Sequence, residues 1–192
     1  MANSDIALGF RAVRPEYGTV PKLETFVVAT TEVIYEGAPV CIDDDGEIIE
    51  YTDTLAVAGK VMGVAAHYVS GTQTDRELQV YTDVNQEYEL QVDDATLASK
   101  ADSIGRLFQL TNPAAGNSTT LQSTAEIDAD TGASVTGVTN SDVTPVRIER
   151  ESEQINNEKN VAFSRYIVRF IPGVMLRGLA TIGIGATETI GN

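Results

Sequence analysis

The chain has no tryptophan, one cysteine, one histidine and only 13 lysines and arginines against 28 acids in 192 residues. Each shortage closes a route. With Cys41 alone, an intramolecular disulfide is impossible, so this is not a stapled secreted scaffold. With His67 alone, a metal site built from several imidazoles is excluded. A formal net charge of −15 repels phosphate backbones and anionic membranes, so neither nucleic acid nor a membrane is an expected partner. Aromatic residues make up 6% of the chain, which leaves the core to Val, Ile, Leu and Ala. It also weakens any sugar-binding platform, unless Tyr35, Tyr51, Tyr68 and Tyr81 share one exposed surface.

Reactive constellations are equally scarce. Cys41 and His67 could in principle form a nucleophile pair, but both lie in apolar, strand-like sequence. Cys41-Ile-Asp-Asp-Asp-Gly46 resembles a calcium loop, yet with Gly46 at position six the first and twelfth positions are Cys41 and Thr52, where Asp and Glu are needed. Asp93-Asp94 reads as a solvated turn rather than an acid–base pair. Gly183-Ile-Gly185 lacks the third glycine of a dinucleotide fingerprint. No Walker loop or Gly-x-Ser-x-Gly elbow occurs. An enzyme is not expected, and neither a cofactor nor a metal is assigned.

What the sequence does carry is alternation. Tyr88, Leu90 and Val92 fall on one face of a strand and Glu87, Glu89 and Gln91 on the other, which predicts the first set in a core and the second in water. Further strands are predicted at 25–29, 34–42, 47–51, 60–68, 77–82, 143–149 and 162–171, with short ones near 119–122 and 133–138. Asp45-Gly46 between apolar runs signals a hairpin, and Gly59 and Gly63 a bulge or sharp bend. One short helix is expected from an Asp94 N-cap to a Gly105 stop. The fold class is therefore all-β: a small β-barrel or sandwich with one short helix and extended N- and C-terminal arms. Residues 1–24 read as the N-terminal arm, 25–172 as the barrel domain with a loop-rich insert at 111–144, and 173–192 as a Gly-rich C-terminal tail. No internal repeat of fixed period is visible.

Charge is unevenly laid down. From Glu32 to Asp53 there are eight acids and no base, and between Arg106 and Arg147 there is again no base. Bases collect towards the two ends, at Arg11, Arg14 and Lys22 and then at Arg147, Arg150, Lys159, Arg165, Arg169 and Arg177. An electrostatically docked partner is expected to touch those end segments. Met1-Ala-Asn-Ser-Asp5 has no basic, apolar leader pattern, so cytoplasmic synthesis is expected.

Ala2-Asn-Ser-Asp5 followed by Leu8-Gly-Phe-Arg-Ala-Val-Arg14 resembles the N-terminus of small virion proteins of tailed bacteriophages. The order Gly37-Ala-Pro-Val40, Asp45-Gly46, Val61-Met-Gly-Val64, Tyr81-Thr-Asp83, Gln86-Glu-Tyr-Glu-Leu-Gln-Val-Asp93, Ile104-Gly105 and a last strand at 166–171 is similar to phage head decoration, or cement, proteins with a β-barrel core. The resemblance implies no catalytic residues. It implies a partner in the major capsid protein, association with copies of itself as a trimer, and a place on the outer surface of the virion capsid. Phe10, Arg11, Arg14 and Tyr17 of the arm and Val174, Met175, Leu176 and Ile182 of the tail are the expected capsid or subunit contacts. Removing residues 1–20 is expected to leave a folded domain that no longer binds heads. A head–tail connector or tail tube component is the alternative within the same class.

Overall fold

The computed structural model describes residues 3, 5–13, 21–52, 61–72, 76–93, 104–133, 146–153, 157, 161–171 and 175. Among them the protein is all-β, as expected. The proposed helix from Asp94 falls largely outside the described residues, and Ile104 and Gly105 form a turn.

Among the described residues thirteen strands run in chain order: β1 Arg11–Ala12, β2 Leu23–Val27, β3 Pro39–Ile42, β4 Ile48–Glu50, β5 Val61–Ala65, β6 Glu77–Tyr81, β7 Tyr88–Gln91, β8 Leu107–Thr111, β9 Gly116–Asn117, β10 Gln122–Ser123, β11 Glu126–Ala133, β12 Val146–Glu151 and β13 Arg165–Phe170. They form a five-stranded sheet of order β2-β6-β5-β3-β4, a six-stranded sheet of order β1-β7-β13-β12-β8-β11, and the small β9–β10 ladder. The 111–144 stretch, read as loops with short strands near 119–122 and 133–138, carries β9, β10 and the longer β11 in its described part.

Each large sheet curls until its ends meet. In the first, Val28 just after β2 forms a parallel bridge to Ile48 of β4, and the Ala29 N–H donates to the Ile48 carbonyl at 2.9 Å. In the second, Val92 just after β7 bridges Ile127 of β11 in parallel, and the Asp93 N–H donates to the Ile127 carbonyl at 3.0 Å. Curling this way leaves fewer open strand edges.

The two curled sheets are the same object built twice. Leaving β1 aside, both have the order first-fifth-fourth-second-third strand. Their registers agree pair by pair. Val27↔Glu77 and Thr25↔Gln79 in the first correspond to Gln91↔Arg165 and Glu89↔Ile167 in the second. Ile42↔Ile48 corresponds to Leu110↔Ile127, Val40↔Gly63 to Phe108↔Val146, and Ala65↔Val80 to Ile148↔Val168. Gly37 and Gly105, with φ of 78° and 81°, occupy the same turn and donate to the carbonyls of Ala65 and Ile148. The chain thus contains a repeat of topology and register, although the spacing between equivalent residues changes along it, so no fixed period marks it in the sequence.

Local signals explain several elements. Gly46, with φ of 85°, closes the β3–β4 hairpin, while the Asp43 carboxylate accepts from the N–H groups of Asp45 and Glu47. The β3–β5 register shifts between Val40 and Cys41, opposite Gly63, where the sequence predicts a bulge. Val28, Ile34, Val40, Ile48, Met62, Leu78 and Val80 fill the first unit. Tyr88, Leu90, Phe108, Ile127, Ile148, Tyr166, Val168 and Phe170 fill the second, and Cys41, Tyr51, Val61 and Val64 from the outer side of the first pack against them.

The N-terminal segment is part of this packing. Phe10 is 3% exposed, stacks on Phe170 at 5.0 Å between ring centroids and meets Tyr88 edge-on at 5.5 Å. Its N–H donates to the Gly37 carbonyl at 2.9 Å. β1 then pairs with the outer edge of β7, Arg11 opposite Glu89 and Ala12 opposite Tyr88. Residues 5–13, read as the body of a docking arm, lie against their own domain.

Candidate interface on the arginine-bearing sheet

The outward face of the second unit collects bases from both ends of the chain. Arg11 comes from β1, Arg147 and Arg150 from β12, and Arg165 and Arg169 from β13. Side-chain alternation puts Tyr166, Val168 and Phe170 inward, so Arg165, Ile167 and Arg169 point outward. A register shift between Ile148 and Arg150 brings Glu149 and Arg150 to the same outer side. Five of the bases that the sequence separates into two ends therefore form one surface.

Carboxylates lie underneath that surface. Glu149 Oε1 accepts from Arg147 Nε and Nη2 at 2.9 and 2.7 Å, and from Arg169 Nε at 3.0 Å. Glu87 is paired with Arg150 at 2.7 Å. Glu89 accepts from Ser152 Oγ at 3.0 Å, with guanidinium nitrogens of Arg11 and Arg165 at 3.7 and 4.0 Å. Gln91 Nε2 donates to Glu126 Oε1 at 2.9 Å. The expectation that Glu87, Glu89 and Gln91 face water is corrected here: all three are buried. Long arginine stems and the N-terminal segment lie over them, and Ile167 is buried on the same outer face. The charges are layered, since the Arg11 and Arg150 side chains are 51% and 46% exposed while that of Glu89 is 7% exposed. A partner approaching this face meets guanidinium groups first.

Of the expected contacts, Arg11 lies on this face. Phe10 and Met175 are core residues: Met175 is buried and bridges Val61 of β5 in parallel. Both side chains are buried within the chain. Arg14, Tyr17, Val174, Leu176 and Ile182 lie outside the described residues. The four arginines of β12 and β13 were visible in the sequence only as end-clustered bases. The even spacing of Arg147 to Glu149 (i, i+2) and of Arg165 to Arg169 (i, i+4), which puts each pair on one face of its strand, is the signal in the sequence.

Other candidate groups do not converge. Cys41 is buried between the units, and His67 Nε2 sits 3.3 Å from the Glu77 carbonyl. Among the described residues no cluster of three or more His, Cys, Asp or Glu is placed to hold a metal. Tyr35 and Tyr68 pair at 5.6 Å, but Tyr51 is buried and Tyr81 packs against Tyr88, so the tyrosines make no common exposed platform. No protein-family model and no curated protein matches the chain.

The acidic part of the chain carries one titration with a consequence. The Glu50 N–H donates to Glu32 Oε2 at 3.2 Å, and burial, then the Glu32 charge, raise the Glu50 carboxyl from 4.5 to about 7. A carboxyl raised on folding binds its proton more tightly in the folded state. It carries no penalty below pH 4.5; the penalty builds between 4.5 and 7 and is complete above 7. Allowing for solvent screening of a half-buried group, it amounts to about 1–2 kcal/mol. Glu50→Gln is therefore expected to match the parent near pH 4.5 and to exceed it by that amount at pH 8, measured by urea denaturation.

Proposed function

We propose that this chain is a decoration, or cement, protein of a tailed-bacteriophage head, bound to the outside of the expanded capsid. The observation that carries the reading is the arginine-bearing face: five guanidinium side chains on one sheet of a chain with net charge −15. A strongly acidic body stays soluble and is repelled from packaged DNA, while one basic-topped face can orient it on an acidic shell. The similarity of its sequence order to β-barrel cement proteins points the same way. In this reading the protein works by adding interface between neighbouring capsid subunits, which resists their separation under the outward pressure of DNA. Many copies, each bound modestly at more than one point, stabilise the shell through avidity.

The test is co-sedimentation with expanded, DNA-free heads of the phage that encodes the chain. The parent protein is expected to pellet with heads and to be released as salt rises. The double variant Arg147→Gln, Arg169→Gln is expected to bind about tenfold more weakly, with a flatter salt dependence. Its denaturation midpoint serves as the control for folding. A parent protein that stays in the supernatant, or a folded variant that binds undiminished, overturns the reading.

A further inference from the structure

The duplication exposes a difference between the two units. In the second, the outer edge of β7 is covered: β1 pairs with it at Glu89 and Tyr88, and the Val13 N–H donates to the Glu87 carbonyl at 3.0 Å. The matching edge in the first unit is β2, and register places Leu23, Thr25 and Val27 where Glu87, Glu89 and Gln91 stand in the second. Among the described residues β2 pairs with β6 alone along its length. The Val28 N–H donates to the Arg76 carbonyl, and the Lys22 carbonyl accepts from the Thr82 N–H. Antiparallel alternation then turns the main-chain groups of residues 22, 24, 26 and 28 towards β6 and those of Leu23, Thr25 and Val27 to the open side. The side chains at these positions are also open, with Leu23 44% and Val27 52% exposed.

We propose that β2 is a self-association edge, on which two copies of the chain pair antiparallel about a two-fold axis through Thr25. Among the described residues this edge is uncovered and carries apolar side chains, which makes it a template for strand addition, and its sequence decides the occupant. Reversed about its centre, Leu-Glu-Thr-Phe-Val sets its exposed apolar ends against each other. Leu23 then faces the partner's Val27, and Glu24 faces the partner's Phe26. Thr25 faces the partner's Thr25 and exchanges both main-chain hydrogen bonds with it. No like charges oppose each other. Lys22 and Glu24 already form an ion pair at 2.9 Å, so the edge is locally neutral despite the acidity of the whole. The contact is isologous and therefore closes at two copies. This inference stands independently of the capsid reading.

The full-length chain is expected to show a concentration-dependent monomer–dimer equilibrium in sedimentation equilibrium. Val27→Lys is expected to weaken it at least about tenfold. Thr25→Pro removes an N–H that points away from β6 and is expected to abolish it with circular dichroism unchanged. Because a hydrogen-bonded antiparallel pair sets Cα atoms about 5.5 Å apart, with side chains on the same face, Thr25→Cys is expected to give a covalent dimer with a short bis-maleimide linker. A parent protein that remains monomeric, a three-fold assembly, or a Thr25→Cys chain that the linker leaves uncrosslinked overturns the proposal.

Discussion

Phe10→Ala is expected to cost about 3–5 kcal/mol of folding stability, the range for deleting a buried aromatic ring. The ring touches two others, Phe170 in a stack and Tyr88 edge-on, so its loss removes aromatic contacts as well as apolar burial. The approach to it is tightly built. Gly9 has φ of 61°, and a Cβ there would stand 2.7 Å from the Gly37 carbonyl oxygen and 2.6 Å from Ser123 Cβ. The segment therefore threads between the two units with no room to slide. Arg11→Ala, next in sequence, is expected to change stability by under about 1 kcal/mol, because its ion pair is long and half-exposed. Urea denaturation of the two variants separates the cases. A small effect at Phe10 with a large one at Arg11 would mean that charge, not packing, holds the segment. The same packing reverses the sequence-based expectation for truncation: losing residues 1–20 is expected to destabilise the second unit.

The strands most legible in the sequence were those with one wet and one dry side. β13 shows this in Tyr166, Val168 and Phe170 against Arg165 and Arg169, and the β3–β4 hairpin is announced by Asp45-Gly46. β7 was legible on its inner side alone. Glu87, Glu89 and Gln91 alternate as a solvated row would, but the N-terminal segment and arginines distant in sequence cover them, which no local pattern records. β11 was hidden by the Thr, Ser, Gly and Asn composition around it. The duplication was hidden for a stronger reason. Equivalent pairs keep their register while changing chemistry, as Val27–Glu77 against Gln91–Arg165, or Val40–Gly63 against Phe108–Val146. Strand order and inward apolarity suffice to build the unit twice, and neither requires residue identity. The arginine face was half legible: the bases were visible at the ends, but their convergence depends on β12 and β13 lying beside the strand that receives β1.

Arg76→Met is expected to be about as damaging as the loss of Phe10, at about 3–5 kcal/mol, although it exchanges a charge for an apolar chain of similar length. Arg76 is buried, and its guanidinium donates to the carbonyls of Ala29, Glu32 and Ser70, the last at 3.1 Å. A hydrogen bond from a charged donor contributes about 1.5–3 kcal/mol, and three acceptors would lose that donor together. Arg76→Lys is expected to recover less than half of the loss, because an ammonium cannot reproduce the planar fork. The placement gives these bonds leverage. The Arg76 carbonyl accepts from the Val28 N–H at 3.0 Å, and Ala29, one residue on, closes the first unit against Ile48. Main chain and side chain of one residue thus fix the end of β2. In the second unit the matching residue is Ser164, whose carbonyl accepts from the Val92 N–H at 2.8 Å. Ser164→Ala is expected to cost about 1 kcal/mol, the difference measuring what the guanidinium adds. Hydrogen exchange at the Ala29 amide reads the closure directly. It is expected to accelerate in Arg76→Met while the Asp93 amide, its counterpart at Ile127, keeps its protection. Equal acceleration at both would mean that the two units unfold as one and that Arg76 has no local role. Selective acceleration would show that the rigidity of the β2 edge, and with it any pairing through Thr25, is set by one buried arginine.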